Sequence, residues 1–268
     1  MNEIASTQEN GVLRLTLNRP NVFNSFNRSM ALQLQAELDR AASDENIRAV
    51  VLTGEGKAFC AGQDLSEATD PNGPALQQIV AEHYNPIILK IRALEKPVIA
   101  AVNGVAAGAG ANIALACDIV LAKESASFIQ AFSKIGLIPD SGGTFILPRL
   151  VGLQKATALM MTGEKVAAKD AEQMNMIYKA VADEDFSAAV AKLAGQMAQM
   201  PTKDLVHRDR VLNEMIELST DGFQKITNLL VAPGTGDDTA VRFAINSCAR
   251  YTSEFGKEEE RDFVEAQL

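Results

Sequence analysis

Residues 97–110 are Pro97-Val-Ile-Ala-Ala-Val-Asn-Gly-Val-Ala-Ala-Gly-Ala-Gly110, an apolar run that passes directly into a turn of small residues. Proline is tolerated at the first position of a strand, because the missing N–H donor costs least there. The run therefore predicts a buried strand over Pro97–Val102, and the glycines predict a tight connection to a helix. A buried strand joined to a helix in this way is typical of an α/β fold with a largely parallel sheet.

The flanking segments repeat this alternation of strands and helices. Val12–Leu17 alternates apolar and polar residues as a half-buried strand does, and Asn27 or Ser29 can cap a helix that continues to about Ala42. Residues 66–78 contain two prolines and predict a mobile surface loop, followed by a helix near 78–93. Other apolar runs predict two more strands and a largely helical region beyond 150: Ala49–Thr53, Asp118–Ala122, Ala156–Met161, Ala167–Met174 and Phe186–Met200.

Composition excludes several classes of function. The chain has 268 residues, 47% of them apolar, and a net charge of −9, which argues against nucleic acid or an anionic membrane as the main partner. No run of ~18 apolar residues is present, so we expect a cytoplasmic protein that spans no membrane. Two histidines and three widely spaced cysteines offer little material for a metal site, and we expect reduced thiols.

Two glycine-bearing turns follow predicted strands, Gly54–Leu65 and Gly104–Gly110. Neither matches Gly-x-Gly-x-x-Gly, and neither contains Gly-Lys-Ser/Thr, so nucleotide-phosphate binding of those types is disfavoured. Small residues where a strand passes into a helix leave backbone N–H groups unpaired and accessible. Two such turns can direct two amides at one oxygen, as in an oxyanion hole, or they can simply permit tight packing.

One carboxylate, Asp140, lies in an apolar stretch between Leu137-Ile-Pro139 and Ser141-Gly-Gly143. Partial desolvation in such surroundings raises the pKa of a carboxyl group and makes it a better proton acceptor near neutral pH. The alternative is a helix N-cap, with Asp140 preceding a helix over 143–150.

Several ordered motifs together resemble the enoyl-CoA hydratase/isomerase (crotonase) superfamily, over about residues 11–205. These motifs are Leu17-Asn-Arg-Pro20, Asn24-Ser-Phe-Asn27, Phe59-Cys-Ala-Gly-Gln-Asp-Leu65, Lys96-Pro-Val-Ile-Ala-Ala-Val-Asn-Gly104, Gly108-Ala-Gly110, Cys117-Asp-Ile119 and Gly142-Gly-Thr144. The resemblance implies an α/β spiral of ββα units over residues 1–200, followed by a helical region at 201–268 for a lid or oligomerisation. The sequence of this last region departs from the family pattern, so we expect it to be atypical. The resemblance also implies a homotrimer or a dimer of trimers.

The same resemblance implies an acyl-CoA thioester as partner, with coenzyme A carried by the substrate and no separate cofactor or metal. The backbone amides that stabilise the thioester enolate would be those of Gln63 and Ala109. Coenzyme A would contact residues around the first turn: Arg19, Lys57, Ala61, Asp64 and Leu65.

Which acidic residues occupy the family's catalytic positions determines whether hydration or isomerisation is expected. Hydratases of the superfamily carry two glutamates, and the aligned positions here are Asn112 and Phe132. Water addition needs one group to activate water and another to protonate the α-carbon, so hydration is disfavoured. Asp140 stands where isomerases of the superfamily carry their acid, which implies a single-carboxylate proton shuttle.

Further motifs resemble the branch of the superfamily that isomerises ring-epoxidised phenylacetyl-CoA: Tyr84-Asn-Pro86, Asn103–Ala111 and Ala131–Asp140. That branch implies an apolar acyl pocket with contributions from Tyr84, Asn112, Phe132 and Leu137, and Ile138 is a further candidate. Core packing is equally compatible with Leu137 and Ile138, and Asn112 can instead be a satisfied helix residue. An isomerase of linear enoyl-CoA and a non-catalytic acyl-CoA-binding subunit remain alternatives.

Overall fold

The computed structural model describes residues 2–200. The predicted region 201–268 lies outside the described residues. The described part of the chain contains the following strands: Ile4–Glu9 (β1), Val12–Leu17 (β2), Ala49–Gly54 (β3), Ala58–Cys60 (β4), Val98–Val102 (β5), Val105–Ala107 (β6), Ile119–Lys123 (β7), Ser127–Ile129 (β8), Lys165–Ala167 (β9) and Lys179–Val181 (β10).

Helices alternate with these strands, as the sequence predicts. They are Arg28–Ser43 (α1), Leu65–Ala68 (α2), Leu76–Ile79 (α3), Asn85–Ala93 (α4), Ala109–Leu115 (α5), Gly143–Val151 (α6), Leu153–Thr162 (α7), Ala168–Gln173 (α8) and Phe186–Gln199 (α9). Of the two predicted caps of α1, Asn27 is the one used, because its side chain accepts a hydrogen bond from Met30 N at 2.8 Å.

Six strands form one sheet in the order β1-β2-β3-β5-β7-β10. β1 and β2 are an antiparallel pair with Ile4 opposite Leu17, and the other pairs of this sheet are parallel. The central strands β3 and β5 are buried on both faces, and in β3 Val50 packs into the larger core that also contains residues of α1 and α4, whereas Val51 packs against α9. Continuous apolar runs such as β3 and β5 are what a doubly covered parallel sheet requires.

A second sheet, in the order β4-β6-β8-β9, was not visible in the sequence patterns, although the resemblance implied ββα units. The glycine-bearing turns do not connect a strand directly to a helix, because each contains a three-residue strand of this sheet, Ala58–Cys60 or Val105–Ala107. Each unit is thus a strand of the first sheet, a strand of the second and a helix, as in β3-β4-α2 and β5-β6-α5. This is the predicted α/β spiral of ββα units.

The segment before β5 also differs from its prediction. Residues 66–78 were expected to be a loop, but the short helices α2 and α3 occupy its two ends. The helix predicted near 78–93 is divided, because Val80–Tyr84 is a π-helical turn between α3 and α4. None of the helices within residues 2–200 has the length and apolar character that crossing a membrane requires.

Candidate active site

The backbone N–H of Gln63 is unpaired within the described residues, and its direction follows from a short parallel bridge to Phe26. Phe26 N donates to Gly62 O at 2.7 Å, and Asp64 N donates to Phe26 O at 2.8 Å. Successive peptide groups of an extended chain point in opposite directions. The N–H of Gln63 therefore points away from Phe26, where it can act as a donor.

Ala109 brings a second free amide to the same place. Ala109 is the first residue of α5, so its N–H has no partner inside the helix, and none is found elsewhere in residues 2–200. The two segments touch, because a Cβ built on Gly62 would lie 3.6 Å from Ala109 N and only 3.1 Å from Ala107 O. Gly62 also has φ of +93°, so glycine allows both the turn and this close approach.

Asp140 lies in the connection before α6 and is partly buried. Burial raises the pKa of this carboxyl group above its ordinary value, and the 2.8 Å hydrogen bond that Ser141 Oγ donates to Asp140 Oδ1 opposes the increase. The alternative interpretation of Asp140 as a helix cap is wrong, because the N-cap of α6 is Gly142 and no side chain within residues 2–200 caps the start of that helix. The Asp140 carboxylate is thus available as a proton acceptor.

Asn112 connects Asp140 to the helix that carries the Ala109 amide. Asn112 is one turn after Ala109 on α5, and its Nδ2 donates to the main-chain oxygen of Asp140 at 2.9 Å. Its Oδ1 accepts from Gln130 Nε2 at 2.9 Å, so both ends of the side chain are occupied. Gly143 permits this contact, since a Cβ there would lie 2.3 Å from Asn112 Nδ2. The geometry agrees with the satisfied helix residue rather than with a free donor in an acyl pocket.

The aromatic residues predicted for the pocket lie close to the two amide-bearing segments. Phe132 is buried, and a Cβ built on Gly108, the residue before Ala109, would lie 3.9 Å from Phe132 Cζ. Tyr84 is only 1% exposed and packs edge-on against Phe26, with ring centroids 5.9 Å apart.

The two aliphatic candidates before Asp140 behave differently from each other. Leu137 is partly buried, and its N–H donates to Phe132 O at 3.0 Å, closing the turn between them. Ile138 is 80% exposed, so neither core packing nor a position deep in a pocket wall describes it in this chain.

The residues predicted to contact coenzyme A fall into two groups. Lys57, Ala61 and Leu65 are exposed, and Leu65 leaves 64% of its surface uncovered. Arg19 and Asp64 are instead bonded to each other at 2.8 Å.

Arg19 is engaged on several sides. Its Nε pairs with Glu3 at 3.2 Å, and its guanidinium also donates to Ser25 O at 2.5 Å. Burial opposes ionisation of Asp64, but hydrogen bonds from Ser66 and Arg19 hold the pKa of that carboxyl below its usual range. The Arg19–Asp64 pair therefore fixes the start of α2, and a phosphate would have to compete with these bonds for Arg19.

Three polar residues at the site were missed by the sequence analysis: Ser141, Gln130 and Glu67. Ser141 adopts φ of +51° beside Asp140, a strained conformation for a residue other than glycine. Glu67 Oε2 accepts from Gln63 Nε2 at 2.8 Å. Of these features, only the left-handed turn at Ser141 could have been found from the local sequence, because Ser-Gly-Gly is typical of a turn. The other contacts join residues that are distant in the chain.

The two cysteines of the described chain, Cys60 and Cys117, are buried. Burial raises the pKa of Cys60 to about 12 and raises the pKa of Cys117 as well, so both thiols stay protonated near neutral pH. Within residues 2–200, no three His, Cys, Asp or Glu side chains converge as a metal site would require. Cys248 lies outside the described residues.

Comparison with known proteins gives consistent matches. The enoyl-CoA hydratase/isomerase family profile matches residues 7–229. The chain is 49% identical over 205 residues to the 1,2-epoxyphenylacetyl-CoA isomerase of Escherichia coli (strain K12), covering 75% of this chain and 78% of that protein. It is 46% identical over 192 residues to a probable enoyl-CoA hydratase of Rhodobacter capsulatus, covering 72% and 74%. A solved structure described as a monofunctional enoyl CoA isomerase from M. smegmatis superposes with a TM-score of 0.70 at 30% identity, covering 81% and 95%.

Proposed function

The chain belongs to the enoyl-CoA hydratase/isomerase family, and from that membership we propose that it is an acyl-CoA isomerase that works through a thioester enolate. The observation that carries the proposal is Asp140, whose carboxyl group is partly buried and whose main-chain oxygen accepts from Asn112, one helical turn after the free Ala109 amide. In this reaction the thioester oxygen accepts hydrogen bonds from the Gln63 and Ala109 amides, which stabilise the enolate. Asp140 removes a proton from the substrate and, as the conjugate acid, returns it at another carbon.

The occupants of the two hydratase positions support isomerisation over hydration. Phe132 has no group that can activate water, and Asn112 uses both ends of its amide in bonds to Asp140 and Gln130. Glu67 is another carboxylate near Gln63, but both of its oxygens are engaged, by Gln63 Nε2 and by Arg28 N. Asp64 is likewise engaged, by Arg19 and Ser66, so neither of these two carboxylates is left to recruit water.

We further propose that the substrate is 2-(1,2-epoxy-1,2-dihydrophenyl)acetyl-CoA, which is converted to the isomeric oxepin, a step in phenylacetate degradation. The 49% identity to a protein named 1,2-epoxyphenylacetyl-CoA isomerase supports this choice, as do the aromatic side chains of Tyr84 and Phe132 beside the amides. Moving a 3-enoyl double bond to position 2 needs the same proton shuttle, so we expect that conversion as a side activity.

A linear enoyl-CoA as the main substrate is the second candidate. The observation in its favour is the structural match to the monofunctional enoyl CoA isomerase from M. smegmatis. The two candidates differ in the acyl group but share Asp140 and the two amides.

Steady-state assays of the purified full chain distinguish these candidates. We expect kcat/KM for the ring-epoxide thioester to exceed that for a 3-enoyl-CoA by at least about tenfold, and water addition to crotonyl-CoA to be weak. A reversed preference for the 3-enoyl substrate would favour the linear candidate, and robust hydration would contradict the isomerase proposal. Tight binding of acyl-CoA without conversion of any of these substrates would indicate a non-catalytic acyl-CoA-binding subunit.

Assembly and coenzyme A contacts are part of the proposal. We propose a homotrimer or a dimer of trimers in the cytoplasm, which sedimentation equilibrium of the full chain tests. Lys57 is exposed and has no ion-pair partner within residues 2–200, so it is the better candidate than Arg19 for a coenzyme A phosphate. Ala61 and Leu65 offer exposed apolar surface to the adenine end of the same molecule.

A further inference from the structure

The side chain of Gln63 is anchored separately from its backbone amide. Tyr84 Oη donates to Gln63 Oε1 at 2.7 Å, and Gln63 Nε2 donates to Glu67 Oε2 at 2.8 Å. The backbone N–H and C=O of Gln63, by contrast, have no partner within the described residues. One residue thus presents a free amide while its side chain is bonded at both ends.

The chemistry of Glu67 determines the direction of these bonds. An ionised carboxylate only accepts hydrogen bonds, so the NH2 group of Gln63 must face Glu67. Gln63 Oε1 then faces Tyr84, whose hydroxyl must donate to it.

The hydrogen bonds from Tyr84 through Gln63 to Glu67 end at the starts of two helices, α4 and α1. Glu67 Oε1 accepts from the backbone N–H of Arg28, the first residue of α1, at 2.9 Å. Tyr84 is 1% exposed and stands at the junction of the π-helical turn and α4. Gln63 is therefore held between the beginnings of two helices.

We propose that Tyr84 and Glu67 are positioning residues that act through the Gln63 side chain to orient the Gln63 N–H toward the substrate carbonyl oxygen. The inference rests on the proposed function, since it assigns a role within the same oxyanion hole. An oxyanion donor is effective only when its direction is set before the charge develops. The bridge to Phe26 anchors the Gln63 backbone from one side only, and the side-chain bonds supply the second anchor.

Tyr84→Phe is the decisive variant because it removes only the hydroxyl. We expect kcat to fall about tenfold with KM within about threefold of wild type, because the lost interaction matters mainly in the transition state. The stretching frequency of the thioester carbonyl in bound phenylacetyl-CoA, labelled with 13C and measured by difference infrared spectroscopy, should move toward its value in solution. Tyr178→Phe is the matched control, since Tyr178 is 65% exposed, and it should leave both measurements unchanged.

A double-mutant cycle tests whether Tyr84 acts through Gln63. Gln63→Leu keeps the backbone N–H and loses both side-chain bonds, so it should reproduce the effects of Tyr84→Phe. The double variant should be no more than about twofold worse than the poorer single variant. Glu67→Leu, which cannot accept from Gln63 Nε2, is a second route if Tyr84→Phe folds poorly, and it should shift the carbonyl frequency in the same direction.

An unchanged carbonyl frequency in folded Tyr84→Phe, or additive losses in the double variant, would overturn the inference and leave Tyr84 a packing residue. The carbonyl measurement needs no turnover, so it separates this failure from failure of the proposed function. If wild type binds phenylacetyl-CoA without lowering the carbonyl frequency, the oxyanion hole itself and the positioning role fail together.

Discussion

The side-chain amide of Asn112 donates a 2.9 Å hydrogen bond to the main-chain oxygen of Asp140. Asn112 belongs to α5, whose first residue, Ala109, supplies one of the two candidate oxyanion amides. The proposed base and the proposed oxyanion donor are therefore attached to the same helix. The residue aligned with a hydratase acid thus bonds the main chain of the proposed base.

Replacing Asn112 by alanine tests this connection. Asn112 is 1% exposed, and its loss leaves Gln130 Nε2 without its acceptor and removes one of the donors to Asp140 O. We expect the free energy of unfolding to fall by about 1–3 kcal/mol, because buried polar groups lose their partners. We also expect kcat to fall about tenfold as Asp140 loses its fixed position.

Urea denaturation and steady-state kinetics measure the two effects of Asn112→Ala. Asn72→Ala is a suitable control, because Asn72 is exposed and, among the described residues, its side chain has no hydrogen-bond partner, while its backbone N–H donates to Asp70. Stability and turnover equal to those of the control would show that Asn112 does not hold the Asp140 segment.

Asp140→Asn should separate catalysis from stability. Turnover should fall about 10²- to 10⁴-fold with acyl-CoA binding little changed, because the variant has no general base. The stability of the folded Asp140→Asn protein, by contrast, should increase. Burial raises the pKa of Asp140, so the charged form is the less stable one in the folded protein.

The sign of the stability change depends on pH. A carboxyl whose pKa is raised by folding adds stability below its unfolded pKa and loses that contribution as the pH rises through its folded value. At pH 7 the Asp140→Asn variant should therefore melt at a higher temperature than wild type, and the difference should shrink toward pH 4. Calorimetry at both pH values measures the difference in melting temperature. A variant less stable than wild type at pH 7 would contradict the conclusion that burial destabilises the charged form of Asp140.

The long periodic segments of the fold were predictable from the sequence, whereas the second sheet was not. Strands such as Val12–Leu17 and the helix Arg28–Ser43 contain enough residues to show their periodicity. Ala58–Cys60 and Val105–Ala107 have three residues each, too few for an alternation, and pairing with distant segments stabilises them. The π-helical turn at Val80–Tyr84 has only five residues, too few to show a period of its own.

The site residues also divide into those that the local sequence predicts and those that depend on contacts between distant segments. The resemblance to the family identified Asp140 and the two amide positions as candidates, because each lies within a local motif. The bonds that hold these groups in place join residues far apart in the chain, as Gln63 and Tyr84 do across 21 positions. Arg19 shows where a local motif misleads. The motif suggested a phosphate contact, but the structure pairs Arg19 with Glu3 and Asp64.

The pH dependence of activity should change in Ser141→Ala. Ser141 Oγ donates to Asp140 Oδ1 and so lowers the pKa of the carboxyl, in opposition to burial. Without this bond the pKa of Asp140 rises further, and because the base must be ionised, the acidic limb of kcat/KM moves to higher pH. The plateau at high pH should remain within about threefold of wild type.

A pH profile of kcat/KM for wild type and Ser141→Ala measures this shift. Ser187→Ala is the control, because Ser187 is exposed on α9 and has no side-chain bond within the described residues. A limb that stays in place or moves to lower pH would show that Ser141 does not tune the base.

Gly62 and Gly195 form a pair of glycines with opposite expected responses to alanine. Gly62 has φ of +93°, and an added Cβ would lie 3.1 Å from Ala107 O. Gly195 lies inside α9, where an added Cβ meets no atom of residues 2–200 within 4 Å. Gly62→Ala should cost about 1–2 kcal/mol of unfolding free energy from the left-handed conformation, and more where the contact with Ala107 must open. Gly195→Ala should gain about 0.5–1 kcal/mol, because alanine is the better helix former.

Activity adds a second criterion for this pair. Gly62→Ala pushes the Ala107–Ala109 segment away from Gln63, so the two amides should separate and kcat should fall at least tenfold in the fraction that is folded. Gly195→Ala should leave kcat unchanged. Urea denaturation and steady-state kinetics of both variants measure these effects. A folded Gly62→Ala protein with wild-type kcat would show that the contact between Gly62 and the Ala107–Ala109 segment does not set the distance between the two amides.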